Sequence, residues 1–346
     1  MTTIGSLFSG GGGWDAGAQM VGITPVFAVE MDPELAKWHH RVFGGLTLAQ
    51  SVATVNWSAV RATVGRLDVL VSSPPCQDYS PSGRMQAALA EKRGTDRGDR
   101  SYCDPFAGLH TLDAVDALNP RVVLLEEVTS YADSEVFKLI VEGLKARGFT
   151  VDYRKLELDK YGLPSSRRRL FMRAVRGVLP PWPAPSPRTM TWHDAIFDLI
   201  PSLPLRPLSP SQAHDLGVWG MPTTKDRSRL LVPPSTPLLI SGGNRGEKKI
   251  GGVKVRYGHL DATKPGWTMQ KAKGITGMRV VDDRGFSRIA SPRVAARLAG
   301  FPDSYPIEEL LRTPAFNIIG NSVPPLMAAQ LLAPFAPARA NPRVAG

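Results

Sequence analysis

The stretch Thr2-Thr3-Ile4-Gly5-Ser6-Leu7-Phe8-Ser9-Gly10-Gly11-Gly12-Gly13-Trp14-Asp15-Ala16-Gly17 decides the fold. Thr2 to Phe8 is a short apolar strand candidate that runs directly into a glycine-rich turn, followed by a helix from Trp14 to about Val21. Glycines at that place allow a tight turn and let a ligand come close to the helix N-terminus. Gly11-x-Gly13-x-x-Ala16 fits the loose dinucleotide fingerprint. A second strand, Pro25 to Val29, ends in Glu30-Met31-Asp32, where an acidic residue can hold the two ribose hydroxyls of an adenine nucleoside. NAD and S-adenosylmethionine share that half, so both fit at this point. The plainer alternative makes Glu30 a helix N-terminal charge beside Asp32, with Pro33 at the first helical position.

Outward from this unit, strand and helix alternate. Pro33 to Phe43 and Ser58 to Val64 read as helices, and Val69-Leu70-Val71 as a buried strand that stops at Pro74-Pro75. Each proline lacks an amide donor and fixes its own φ, so Cys76 is presented on a stiff, non-helical turn. Its alternatives are a catalytic thiol and a small buried one. Ser80 to Arg100, rich in Gly, Arg, Asp and Ser and carrying Arg84 and Arg97, reads as a basic lid. Asp104 to Leu118 is a helix, Arg121 to Leu125 a strand, and Ser134 to Arg147 an amphipathic helix capped by Ser134 and closed by Gly148. Thr150 to Leu158 and Arg169 to Val175 complete the strands. Such alternation argues for a doubly wound α/β sheet with ligands at the carboxyl ends of its strands. Glu126 and Glu127 fall at one such end, either as surface charges or, beside a cysteine, as a general acid candidate. In a strand beginning near Arg167, alternation places Arg167 and Arg169 on one face, a pair suited to a carboxylate or phosphate.

The 346 residues suffice for one large domain or two unequal ones, and 42% hydrophobic content supplies a core. No run approaches about 18 uninterrupted apolar residues and the first residues lack a secretory pattern, which predicts a soluble, cytoplasmic protein with no membrane partner. Two cysteines, Cys76 and Cys103, make no disulfide framework, and six scattered histidines show no metal-ligand spacing, so no metal is expected. Of the net charge of +11, residues 176–287 hold an excess of eight, with sixteen Lys and Arg against eight Asp and Glu. The alternatives there are a polyanion-binding surface and a solvated basic one. At Leu179 the composition shifts to Pro180-Pro181-Trp182-Pro183-Ala184-Pro185-Ser186-Pro187, a stiff connector to a loop-rich, mostly β module. Ser291 to Ala299 is then a capped helix, Leu326 to Phe335 an apolar one, and Ala338 to Gly346 a frayed tail.

In this order the motifs resemble the DNA cytosine-5 methyltransferases. The matching pieces are Leu7-Phe8-Ser9-Gly10-x-Gly12-Gly13, the Glu30 strand end, Pro75-Cys76-Gln77-x-x-Ser80, Glu126-x-Val128, Arg167-x-Arg169, the run Arg288 to Asp303, and Gly320-Asn321-Ser322-Val323. Together they cover nearly the whole chain except residues 176–260, where that family keeps its variable target-recognition region. The resemblance implies an S-adenosylmethionine-dependent, Rossmann-like sheet with a second, smaller, mostly β target-recognition domain. The expected division is 1–178 plus 317–340 for catalysis and cofactor binding, 179–287 for target recognition and 288–316 as a hinge.

It also implies roles. Cys76 adds to C6 of a cytosine flipped out of double-stranded DNA, Glu126 bonds to N3 and the exocyclic amine, and Arg169 holds the base oxygen and the Glu126 carboxylate. Arg167 lies nearer the cysteine or a phosphate. Phe8 stacks on the cofactor's adenine, Glu30 binds its ribose, and Met31 is a further cofactor-binding residue. Ser9, Gly10, Gly12, Gly13, Ser51, Val52, Pro74, Asn321 and Ser322 line its pocket. Ser80, Arg84, Arg97 and Thr268 contact DNA. The chain departs from the family pattern where Glu127 replaces an asparagine, Ser165 a glutamine, Ser51 an acidic residue and Val294 a glutamate. A monomer acting within restriction–modification is expected. The rival readings are an NAD-dependent oxidoreductase, a silent DNA-binding relative and an RNA cytosine-5 methyltransferase.

Overall fold

The computed structural model describes residues 1–75, 104, 106–209, 212, 229–230, 234–241, 248–250, 253–255, 258–269 and 277–337. The chain divides into two compact units: Met1–Leu156 with Arg168–Pro183 and Met327–Gly346, and Glu157–Arg167 with Ala184–Leu326.

In the first unit the chain runs β1 (Thr3–Leu7), α1 (Gly13–Met20), β2 (Thr24–Glu30), α2 (Pro33–Phe43), β3 (Leu46–Ala49), α3 (Trp57–Val64) and β4 (Val69–Ser72). It continues with α4 (His110–Leu118), β5 (Val122–Glu127), α5 (Glu135–Ala146), β6 (Thr150–Glu157) and β7 (Arg168–Val175). The strands form one sheet in the order β3-β2-β1-β4-β5-β7-β6. β3, β2, β1, β4 and β5 are mutually parallel, and β7 is antiparallel to β5. The doubly wound α/β expectation therefore holds. Parallel pairing brings the carboxyl ends of the parallel strands to one edge, and β7 begins there because it runs the other way.

Local chemistry explains the elements. Asp32 caps α2 by accepting from Glu34 N at 2.9 Å, Pro33 takes the first helical position, and Gly44 follows the last turn at φ +68. Ser134 accepts from Phe137 N at 3.1 Å and starts α5, whose Val136, Phe137, Ile140, Val141 and Leu144 form its buried stripe. These pack with Leu70, Val123 and Leu125 of the central strands, each large side chain contributing roughly 1.5–3 kcal/mol on burial.

Two expectations shift. The segment from Asp104 enters its helix through a 3₁₀ turn at Ala107–Leu109, and β3, four residues after the Gly44-Gly45 turn, is an added edge strand. In the second unit lie α6 (Trp192–Ile196), β8 (Leu238–Ile240), β9 (Lys248–Ile250), β10 (Val253–Val255), β11 (His259–Asp261), β12 (Arg279–Val281) and β13 (Ser287–Ile289). α7 (Pro292–Leu298) and α8 (Arg312–Asn321) follow, and α9 (Pro325–Leu332) leads back into the first unit. An antiparallel sheet β11-β8-β12-β13 and the pair β10-β9 give the small β module expected. Ser291 caps α7 as expected, whereas α6 and α8 were not anticipated.

Candidate active site

The turn after β1 is built by backbone conformations that few side chains tolerate. Gly10 and Gly12 have φ +52 and +76, and Phe8 itself is left-handed at φ +55. At Gly12 a Cβ would stand 2.1 Å from the Phe43 ring of α2. At Gly10 none of the described residues lies within 4 Å of that position, so among them the loop is open on that side. Glu30, the last residue of β2, ties the loop down: its Oε2 accepts from Gly10 N at 2.7 Å and its Oε1 from Asp32 N at 2.9 Å. Burial pushes the Glu30 carboxyl above its ordinary value, against the two backbone N–H groups that pull it down. Each carboxylate oxygen still has acceptor capacity for a ribose hydroxyl. Asp32 thus serves helix α2 and Glu30 serves the loop.

Next along the same edge, Ser51 caps the 3₁₀ turn Val52–Thr54 by accepting from Ala53 N at 3.3 Å, with Val52 buried. Met31 is half exposed. After β4, Ser73 N donates to Leu7 O and Ser73 Oγ accepts from Trp14 Nε1 at 3.1 Å. Trp14 also meets Phe171 of β7 edge-on at 6.2 Å. Pro74 is buried, and Gly108 is packed so that a Cβ would stand 2.4 Å from Tyr131 Oη and 3.3 Å from Pro74. Trp14 and Gly108 therefore brace the turn that leads to Cys76. Only Trp14 carried a signal, as a lone aromatic inside a glycine run.

At the end of β5, Glu126 is 6% exposed and pairs with Arg169, whose Nε lies 3.0 Å from Glu126 Oε1. The register explains the meeting: Glu126 faces Phe171 on β7, and Arg169 is two residues before Phe171 on the same face. Alternation turns Glu127 to the opposite face, where its Oε2 accepts from Val128 N.

The remaining expected residues belong to the second unit. Arg167 precedes β7 rather than opening it, is 4% exposed, and its Nη2 donates to Ser322 O at 2.9 Å. Ser322 Oγ donates to Ile318 O at 2.7 Å, and Asn321 ends α8, exposed. Thr268 Oγ1 donates to Ser166 O. Ser165 is buried, its Oγ donating to Leu298 O at 2.7 Å, and Val294 is fully buried in α7. Cys76, Gln77, Ser80, Arg84 and Arg97, with the rest of the expected lid, lie outside the described residues.

The residues of the loop suit a nucleoside cofactor. It has an open cradle at Gly10, a desolvated acceptor in Glu30, and a buried Ser9 Oγ with no hydrogen-bond partner among the described residues. Among the described residues no group of three or more His, Cys, Asp or Glu could hold a metal ion.

Comparison with known proteins agrees with this geometry. The family described as C-5 cytosine-specific DNA methylase matches residues 2–334. Type II methyltransferase M.AplI of Arthrospira platensis is 27% identical over 332 residues, covering 93% of this chain and 82% of its own. Type II methyltransferase M.Bsp6I of Bacillus sp. is 25% identical over 346 residues, covering 93% and 95%. The crystal structure of the S. pombe Dnmt2 methyltransferase shares the fold, with a TM-score of 0.59 at 17% identity over 96% of this chain and 99% of that one. A strand–glycine loop–helix with an acidic second strand end, a proline-terminated fourth strand, a Glu–Arg pair across β5 and β7 and a match over almost every residue make this chain a member of the C-5 cytosine-specific DNA methylase family, a DNA (cytosine-5)-methyltransferase.

Proposed function

We propose that the chain methylates C5 of cytosine in double-stranded DNA through a covalent Cys76 intermediate on a flipped base. The observation that carries this reading is the Glu126–Arg169 pair at the carboxyl edge of the sheet, a nearly buried carboxylate beside a guanidinium. Cytosine C5 is a poor nucleophile. Bonding of the Cys76 thiolate to C6 moves the ring electrons toward C5, and Glu126 gives a proton or hydrogen bond to N3 as that charge develops. Arg169 fixes the Glu126 carboxyl and meets the base oxygen, and Arg167 acts near the cysteine or a phosphate. When bound, S-adenosylmethionine supplies the methyl group on its sulfonium. Loss of the C5 proton and elimination of the thiolate then restore C5=C6 and free Cys76.

Phe8, Ser9, Gly10, Gly12, Gly13, Glu30, Met31, Ser51, Val52, Pro74, Asn321 and Ser322 hold the cofactor in this reading, with Glu30 on the ribose. Residues 179–287 read the target, with Ser80, Arg84, Arg97 and the basic excess on DNA phosphates, so affinity falls steeply with salt. The Type II methyltransferase relatives support a place in restriction–modification. A cytoplasmic location belongs to this reading; among the described residues the one stretch long and apolar enough to cross a bilayer, Arg312–Phe335, has its apolar window mostly buried inside the protein.

The test is transfer of labelled methyl from S-adenosylmethionine to mixed-sequence duplex DNA, with bisulfite sequencing of the product. Incorporation at cytosine C5, lost in Cys76→Ala with cofactor binding retained, is expected. Full turnover by Cys76→Ala overturns the mechanism. No incorporation at any salt supports a silent DNA-binding protein, and preferential labelling of tRNA in competition supports an RNA substrate.

A further inference from the structure

Within the second unit, hydrogen bonds from three other segments converge on Pro164–Arg167. Gly266 N donates to Pro164 O at 2.8 Å and Ser166 N to Gly266 O at 2.7 Å, a parallel bridge between Ser165 and Gly266. The approach is close: a Cβ on Gly266 would stand 3.3 Å from Pro164 O. Thr268 Oγ1 donates to Ser166 O, the carbonyl directly before Arg167. Ser165 Oγ donates to Leu298 O, one of the last carbonyls of α7, which have no partner inside the helix. Arg167 then reaches Ser322 O with its backbone already fixed, its own carbonyl accepting from Leu158 N at 2.8 Å.

A guanidinium on a long stem has several rotamers to lose, so one fixed direction requires a fixed Cα position and peptide plane. Both hydroxyls act on that backbone. Ser165 stands where the family usually carries a glutamine, and this short side chain, 1% exposed, is fully used by the α7 carbonyl. The single proton of the Thr268 hydroxyl is likewise committed to Ser166.

We propose that Ser165 and Thr268 are positioning residues for Arg167, locking Pro164–Arg167 against α7 and the Gly266–Thr268 segment so that the arginine is presented in one direction. The Thr268 hydroxyl then serves the protein backbone. This rests on the reading of Arg167 as a catalytic residue.

The test is methylation kinetics of the full chain on duplex DNA. Thr268→Val and Ser165→Ala are each expected to lower kcat about five- to tenfold, the alignment lost with one hydrogen bond, with KM for DNA and for S-adenosylmethionine within twofold. Thr268→Ser, which keeps the hydroxyl, retains kcat. In an Arg167→Lys background followed by single-turnover rates, neither hydroxyl deletion lowers the rate further, a non-additivity that general destabilisation does not produce. Thermal unfolding verifies that each variant is folded. Should Ser165→Ala fail to fold because Leu298 O is orphaned, Thr268→Val carries the test. The inference is overturned by multiplicative losses in the Arg167→Lys background, or by a raised KM for DNA with kcat unchanged in Thr268→Val. Full activity of Arg167→Ala overturns the catalytic reading of Arg167 and the inference with it. An inactive Arg167→Ala beside unaffected hydroxyl variants overturns the inference alone.

Discussion

Replacing Arg169 by methionine removes the cation from Glu126 while keeping most of the stem's packing. The two groups are 3.0 Å apart, with side-chain exposures of 18% and 7%. At an effective dielectric of about 20 the Coulomb attraction at that distance is about 5 kcal/mol before desolvation. Deleting one partner of a buried pair typically costs about 3–5 kcal/mol, because the other charge stays behind in a poor solvent. Arg169 keeps partial contact with water, which screens the pair, so a loss near the lower end, about 3 kcal/mol, is expected. Neutralising both, in Glu126→Gln with Arg169→Met, removes the stranded charge. That double variant is expected to regain roughly 2 kcal/mol over Arg169→Met alone. Urea unfolding of the wild type, both single variants and the double variant gives the coupling energy directly. A coupling below about 0.5 kcal/mol would refute the reasoning, since Glu126 would then owe its place to something other than Arg169.

Gly12→Ala must place a methyl 2.1 Å from the Phe43 ring at φ +76, so a loss of at least about 2 kcal/mol in thermal unfolding, with loss of S-adenosylmethionine binding by calorimetry, is expected. Burial raises the Glu30 carboxyl above its ordinary 4.5, so its protonated form is favoured in the folded state. The stability this group contributes is therefore full below pH 4.5 and is lost as pH rises through the folded value; Glu30→Gln should flatten that slope in urea midpoints taken from pH 4 to 7. Asp198 and Asp303 flank Arg297, and hydrogen bonds from its guanidinium hold both carboxyls below the ordinary 3.8. Their contribution is present above that value and lost as pH falls through the folded ones, so Arg297→Met should be less acid-sensitive than the wild type below pH 4 by circular dichroism. Glu127→Gln keeps the acceptor for Val128 N and leaves the face of Glu126 untouched, so kcat should stay within about twofold; a tenfold loss would show that the two carboxylates act together.

The legible parts of the molecule were those with local causes. Short apolar runs gave β1, β2 and β4, which stop at a glycine loop, an acidic turn and a proline pair, and Pro33 marks the start of α2, whose expected bounds Pro33 to Phe43 are the observed ones. β3 was missed because four residues carry too little pattern, and its strand character comes from pairing with β2. α8 was missed because Pro314 and Gly320 interrupt its apolar pattern, although proline in a first turn costs no hydrogen bond. Of the site, Glu30, Glu126 and Arg169 were readable as strand ends, but their partners were not. Trp14 to Ser73 spans 59 residues and Ser165 to Leu298 spans 133, separations at which spacing in the chain carries no information. β7 opens at Arg168; Arg167, just before it, donates from Nη2 to Ser322 O, and Arg169 pairs with Glu126.

The antiparallel run of β7 gives the family's spacing its physical sense. A parallel strand beside β5 would bring its own carboxyl end to the catalytic edge and leave Arg169 at the opposite one. Reversal puts the amino end of β7 there, so an arginine two residues before Phe171 arrives on the face that carries Glu126. The same pleat sends Glu127 to the other face, where the Val128 amide receives its carboxylate. A glutamate in place of an asparagine is thus accommodated without a second negative charge on the face of the proposed acid. What the substitution changes is the support under the strand end, and Glu126 keeps its pairing with Arg169.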